Sequence, residues 1–219
     1  MRQMRCRSGD VKSSRKKMKR LREFARRIVH FTPFGLGRCG RESYIFRPRR
    51  IEGAENIELG DRTIINKHSW LCTIEGYANE QFQPRLVFGN DVYVGQYACI
   101  VATQNLTIGD GCVLSEHVYV TDNGHGLSPD AGLIMQQPLF RKGAVRLGSH
   151  CFLGYRACIL PGVQLGEHCV VGANSVVTKS FPAYSMVAGV PAQLIKQFSR
   201  QANQWISVGD SIEKHSRQH

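Results

Sequence analysis

The sequence has no apolar run near the roughly 18 residues that a membrane-spanning helix needs. Its basic N-terminus is not followed by an apolar stretch, so no secretory signal is expected. Its 8 cysteines include no CxxC pair, and a chain of 219 residues can build a core without a disulfide scaffold. They read as reduced thiols of a cytosolic protein. Acidic residues are scarce at one end only. Residues 1–50 hold 17 of the 29 Lys and Arg but 3 of the 17 Asp and Glu. The rest of the chain is nearly neutral, so the high pI does not describe a nucleic-acid-binding body.

What the sequence does have is a repeat. An aliphatic residue recurs every six positions at Leu147, Leu153, Ile159, Leu165, Val171 and Val177. Four residues after each aliphatic a small or apolar residue follows, at Cys151, Ala157, Val163, Cys169 and Ser175. Glycine comes directly after the aliphatic at 148, 154, 166 and 172. The same register runs through Ile108, Leu114 and Val120, through Phe88, Val94 and Ile100, and more weakly through Leu59, Ile65 and Leu71.

A period of six fits neither an amphipathic helix nor an alternating strand. It predicts an all-β prism of short strands, three units to a coil, with the aliphatic residue inward and glycine where the turns are tight. Residues 18 apart then stack at the ordinary inter-strand spacing. Five coils are expected.

The register breaks in three places: between Leu71 and Phe88, by two residues between Ile100 and Ile108, and between Val120 and Leu147. With the sides called A, B and C, starting from Phe88, Ile108, Leu147 and Leu165 on A, every break falls between a C residue and the next A residue. The insertions must therefore leave the prism at one corner, where loops on a rigid frame commonly carry function. The longest, residues 121–146, contains His125 between Gly124 and Gly126.

Three stretches resemble the hexapeptide-repeat acyltransferases, in particular the maltose, galactoside and capsule or lipopolysaccharide O-acetyltransferases. They are His117–Gly126, Ile159–Lys179 and Val187–Ala192. The resemblance covers roughly residues 55–198. It implies a left-handed parallel β-helix over 51–190, against the usual right-handed crossover. It also implies a short C-terminal helix within 191–219 and a homotrimer. Further, it implies acetyl-CoA as co-substrate, His125 as the base, and CoA along Phe152, Gly154, Tyr155, Ala173, Thr178, Lys179 and Lys196. Phe152 stands where many relatives have Trp. The polar acceptor-binding residues of the galactoside enzymes are not matched around Gly95 and Thr103, and Asp122–Gly126 looks more like the polysaccharide O-acetyltransferases.

The chemistry agrees with that assignment. Transfer from a thioester to an alcohol needs a base for the hydroxyl proton, and a free imidazole titrates near neutrality. Asp122 either holds the other ring nitrogen or makes an Asx turn in the loop. Lys179 and Lys196 either meet CoA phosphates or are surface lysines. A covalent route would need an activated thiol. Cys72 is the one cysteine at the loop corner, and no His is placed beside it. The expected function is therefore O-acetylation of a sugar or surface-polysaccharide precursor, with no metal.

Two alternatives stand beside it. One is a zinc enzyme of the γ-carbonic anhydrase type, using His117, His150 and His168. The other is a catalytically silent β-helix scaffold. Residues 1–50 read as a basic arm, helical in part: Met18, Leu21, Phe24, Ile28 and Val29 form an apolar stripe at helical spacing. That stripe either caps the prism, lies with residues 12–30 on an anionic membrane, or belongs to a solvated tail. Nucleic acid is not an expected partner. The location expected is the cytoplasm, or its membrane face if the acceptor is carried on a lipid.

Overall fold

The computed structural model describes residues 35–208. Three parallel sheets wrap round one apolar core as the sides of a prism. Side A runs through Leu59, Phe88, Ile108, Leu147 and Leu165 in register. Side B aligns Ile45, Ile65, Val94, Leu114, Leu153 and Val171. Side C aligns Ile51, Leu71, Ile100, Val120, Ile159 and Val177. Apart from Ile51, these residues are essentially buried.

The small residues four positions on complete the core, and Cys112, Cys151 and Cys169 stack inside it. Their thiols donate to the carbonyls of Gly148, Gly166 and Pro182 at 3.1, 3.2 and 3.1 Å. Glycine is required at the turn of Gly148, where a Cβ would sit 2.5 Å from the backbone nitrogen of Glu167 in the next coil.

Six full coils are present, one more than the repeat predicts, giving a rod of about 29 Å at ordinary strand spacing. The additional coil lies inside the segment read as the basic arm. Arg38–Cys39 pairs with Glu58–Leu59, Tyr44–Ile45 with Ile64–Ile65, and Arg50–Glu52 with Trp70–Cys72. Cys39, Ile45 and Ile51 keep the six-residue step, but dense arginine hides it. The arm therefore ends before residue 38, not at residue 50. The stripe over 12–30 lies outside the described residues.

The C-terminal end also differs. A short C-terminal helix was expected within 191–219; residues 209–219 lie outside the described residues, and 192–207 are not helical. Instead Ser185–Gly189 adds a rung to side B, Ala192–Ser199 pairs antiparallel with it, and Gln204–Ser207 pairs antiparallel with that strand. Two causes act together. The last rung offers a row of unpaired backbone groups, and Ala192 and Leu194, two residues apart, lay their side chains on the core as a strand on a sheet does.

The three sides differ on their outer faces. Side A presents Arg38, Glu58, Val87, Thr107, Arg146 and Gln164, mostly polar. Side B presents Tyr44, Ile64, Tyr93, Val113, Phe152 and Val170. Side C presents Trp70, Cys99, Tyr119, Cys158 and Val176 above Arg50. Two adjoining sides are thus apolar and the third is polar. No helix among the described residues is long and apolar enough to cross a membrane.

Candidate active site

All three insertions leave at the corner between C and A. The first contains an antiparallel hairpin, Gly76–Tyr77 with Glu80–Gln81. The second is the short turn at 103–104. The third leaves through a two-stranded stem, Asn123–Gly124 against Phe140–Arg141. His125 follows the stem directly, so a paired backbone fixes where its side chain starts. Beyond it, buried Gln137 folds the loop back on itself. Its Oε1 accepts from the Ser128 N–H at 3.0 Å, and its Nε2 donates to the carbonyls of Ser128 and Gly132 at 3.0 Å each.

The first and third insertions are latched together across the second. Glu80 accepts from the Arg141 guanidinium at 2.7 Å and from the Leu139 N–H at 3.2 Å. Arg141 lies over the Phe82 ring at 4.6 Å, and Phe82 and Leu139 are buried. This latch brings Tyr77 to His125: the phenol oxygen is 3.2 Å from Nδ1. The same phenol donates to the Met135 carbonyl at 2.9 Å. The imidazole is otherwise exposed.

Asp122 does not reach that ring nitrogen. It is fully buried, and its carboxylate is occupied elsewhere. It accepts from Thr103 N and Oγ1 at 2.8 and 3.0 Å, from Gln104 N at 2.8 Å and from Asn123 Nδ2 at 3.0 Å. The reading of Asp122 as the group that orients His125 is corrected: it ties the root of the long insertion to the short one, and Tyr77 takes the place beside Nδ1. Sequence reasoning missed Tyr77, Glu80 and Arg141. Nothing periodic marks them.

The residues assigned to CoA fall in separate places within one subunit. Gly154, Tyr155 and Ala173 meet at the B–C edge, where Asn174 N–H donates to the Tyr155 carbonyl at 2.8 Å. Tyr155 extends an aromatic column of His68, Tyr97 and His117, with successive ring centroids 4.8, 4.8 and 5.5 Å apart. Thr178 and Lys179 lie at the C–A edge, beyond the last strand of side C, and Lys179 Nζ donates to Gln193 Oε1 at 3.0 Å. Phe152 stands in the outer row of side B. Lys196 is paired with Met186 in the terminal strands.

The other candidates are disposed as follows. His150 and His168 stack face to face, centroids 4.8 Å apart, and His168 stacks in turn on Tyr184 at 5.1 Å. His117 is on the other edge. No group of three or more His, Cys, Asp or Glu among the described residues is placed to hold a metal ion. Cys72 is buried, and that burial, helped by nearby Glu52, pushes its thiol up to about 11. A thiol so poised stays protonated at neutral pH and is a poor nucleophile.

Residues 144–179 match the family model described as the hexapeptide repeat of succinyl-transferase. The chain is 34% identical over 128 residues to an Escherichia coli protein named as a lipopolysaccharide biosynthesis O-acetyl transferase, WbbJ. That match covers 55% of this chain and, at 64%, just under two thirds of the relative. The chain is similar to the hexapeptide-repeat acyltransferases. The galactoside O-acetyltransferase of Escherichia coli is 24% identical over 152 residues, covering 69% of this chain and 72% of that one. Among solved structures, AntD, an N-acyltransferase from Bacillus cereus in complex with dTDP and 3-hydroxybutyryl-CoA, superposes with a TM-score of 0.63 at 20% identity. It covers 84% of this chain and 93% of its own. The fold of this chain is thus the left-handed parallel β-helix.

Proposed function

We propose that this protein is a CoA-dependent O-acetyltransferase that moves an acetyl group from acetyl-CoA to a hydroxyl of a sugar or surface-polysaccharide precursor, with His125 as general base. The observation that carries this reading is the setting of His125. It stands at the end of a paired stem, at the corner where every insertion gathers, with Nδ1 engaged by Tyr77 and the rest of the ring exposed. In the step proposed, Nε2 takes the proton of the acceptor hydroxyl as its oxygen attacks the thioester carbonyl carbon. The tetrahedral adduct collapses with cleavage of the C–S bond, and the proton passes from Nε2 to the CoA thiolate. The protonated, buried state of Cys72 favours this direct route over an acyl-enzyme. The name of the WbbJ relative supports a glycan acceptor.

CoA is assigned to Phe152, Gly154, Tyr155, Ala173, Thr178, Lys179 and Lys196. In one subunit Gly154, Tyr155 and Ala173 stand at one edge of side C and Thr178 and Lys179 at the other, which supports a site shared between copies. A homotrimer that sets the B–C edge of one subunit against the C–A edge of the next would bring them together. The apolar outer faces of B and C suit such packing, as do the exposed apolar residues Leu127, Leu133, Ile134 and Met135 of the long insertion. For residues 12–30 two roles are proposed, capping the first coil or contact with an anionic membrane that presents a lipid-linked acceptor.

The test is release of free thiol from acetyl-CoA by the full-length protein, offered nucleotide-linked sugars and oligosaccharides. It is paired with a comparison of surface-glycan O-acetylation between parent and deletion strains. His125→Ala should lose at least about 10² in turnover, the lower end of what a general base supplies, while still binding CoA. Near-normal turnover in that variant would sink the assignment.

A further inference from the structure

The phenol of Tyr77 carries one proton and has two strong hydrogen-bonding neighbours, the Met135 carbonyl oxygen at 2.9 Å and His125 Nδ1 at 3.2 Å, with the weakly accepting Met135 Sδ farther off at 3.8 Å. A carbonyl oxygen has no proton to give, so only one arrangement satisfies all three groups. The phenol donates to Met135, and its oxygen accepts from a protonated Nδ1. The proton of a neutral imidazole sits on one nitrogen at a time, so Nε2 is left with its lone pair free. We infer that Tyr77 is a positioning residue that holds His125 in the tautomer with Nδ1 protonated and Nε2 ready to accept a proton. The inference rests on the reading of His125 as the base.

Three features give the contact its meaning. Tyr77 comes from a different insertion, 48 residues away in sequence, and its hairpin is held to the His125 loop by Glu80 at two points. The Tyr77 and His125 rings, with centroids 5.7 Å apart and planes tilted by 60°, are not stacked face to face. The chain of donors also runs in one direction, so when Nε2 takes a proton the Nδ1–H bond is kept and strengthened. The phenol therefore supports both states through which a base must pass. It does the work that an acidic partner does in other oriented histidines, without placing a second charge in the site.

The experiment is ¹⁵N NMR of the full-length protein labelled at histidine, with the His125 ring signals identified by their loss in His125→Ala. Above the ring's titration, Nε2 should show the shift of an unprotonated nitrogen and Nδ1 that of a protonated one. Tyr77→Phe should lose this bias. On whichever sugar supports thiol release, its kcat should fall about tenfold, with KM for acetyl-CoA within about twofold and an unchanged melting temperature; enforcing the wrong tautomer in a comparable site costs far more. A wild-type protein with the proton on Nε2 overturns the inference whether or not the variant folds, and so does a Phe variant with undiminished kcat. If His125→Ala is inactive while Tyr77→Phe behaves as wild type, only the role of Tyr77 falls. If His125→Ala is active, the proposed function falls with it.

Discussion

A buried carboxylate with both oxygens engaged is an anchor. Asp122 accepts four hydrogen bonds, two of them from the backbone nitrogens of Thr103 and Gln104. Replacing it by Ala strands those N–H groups, each worth about 1–3 kcal/mol when left unpaired. Asp122→Ala should therefore lose about 2–4 kcal/mol in urea unfolding and lower activity only by displacing the loop. Asp122→Asn, which keeps one acceptor oxygen, should recover much of both. Equal stability of Asp122→Ala and wild type would contradict the role. At this scale His125 was legible, because glycines on both sides and a place at the root of an insertion set it apart. Its partner was not. Asp122 looked suitable three residues away, but separation along an irregular loop says little about which carboxylate oxygens are already taken.

At the scale of elements, the hairpin at 76–81 and the insertion at 121–144 act as one unit through Glu80 and Arg141. Their ion pair is about one third exposed on each side, so its contribution to global stability is small, within about 1 kcal/mol. Its contribution to placement is larger, since it sets the distance between Tyr77 and His125. Glu80→Ala should accordingly shift the melting temperature by no more than about 2–4 °C for a chain of this size yet lower kcat several-fold. A large loss of stability with unchanged kcat would show the latch to be part of the frame only. The ends of the chain make a related point. The first coil was readable in Cys39, Ile45 and Ile51, had arginine density not drawn the eye away. The closing strands at 192–207 were not, because a segment of alternating apolar residues becomes a strand only when an open sheet edge is there to receive it.

At the scale of the whole molecule, the surface divides by side. Sides B and C share an edge and are apolar outside, while A is polar. A monomer would leave both apolar sides in water, and contiguous exposed apolar surface marks interaction sites. Sedimentation equilibrium should give three times the chain mass of 24.6 kDa and no active monomer. If the proposed trimer shares its site between subunits, substituting Val113 and Phe152 by Asp should dissociate it and abolish activity together. An active dissociated form would refute the shared site.

The sequence by itself determined the prism, the three sides, the inward residues and the corner at which the insertions leave. Each side is built from six contiguous residues, so the pattern is local, and counting along the chain shows where an insertion begins and ends. Only the tertiary structure decided what meets at that corner. Tyr77, His125 and Met135 belong to loops without a period, and they come together because Glu80 and Arg141 pair across coils. Asp122 was excluded as the partner of His125 for the same reason: its oxygens were claimed by Thr103 and Gln104, one coil below.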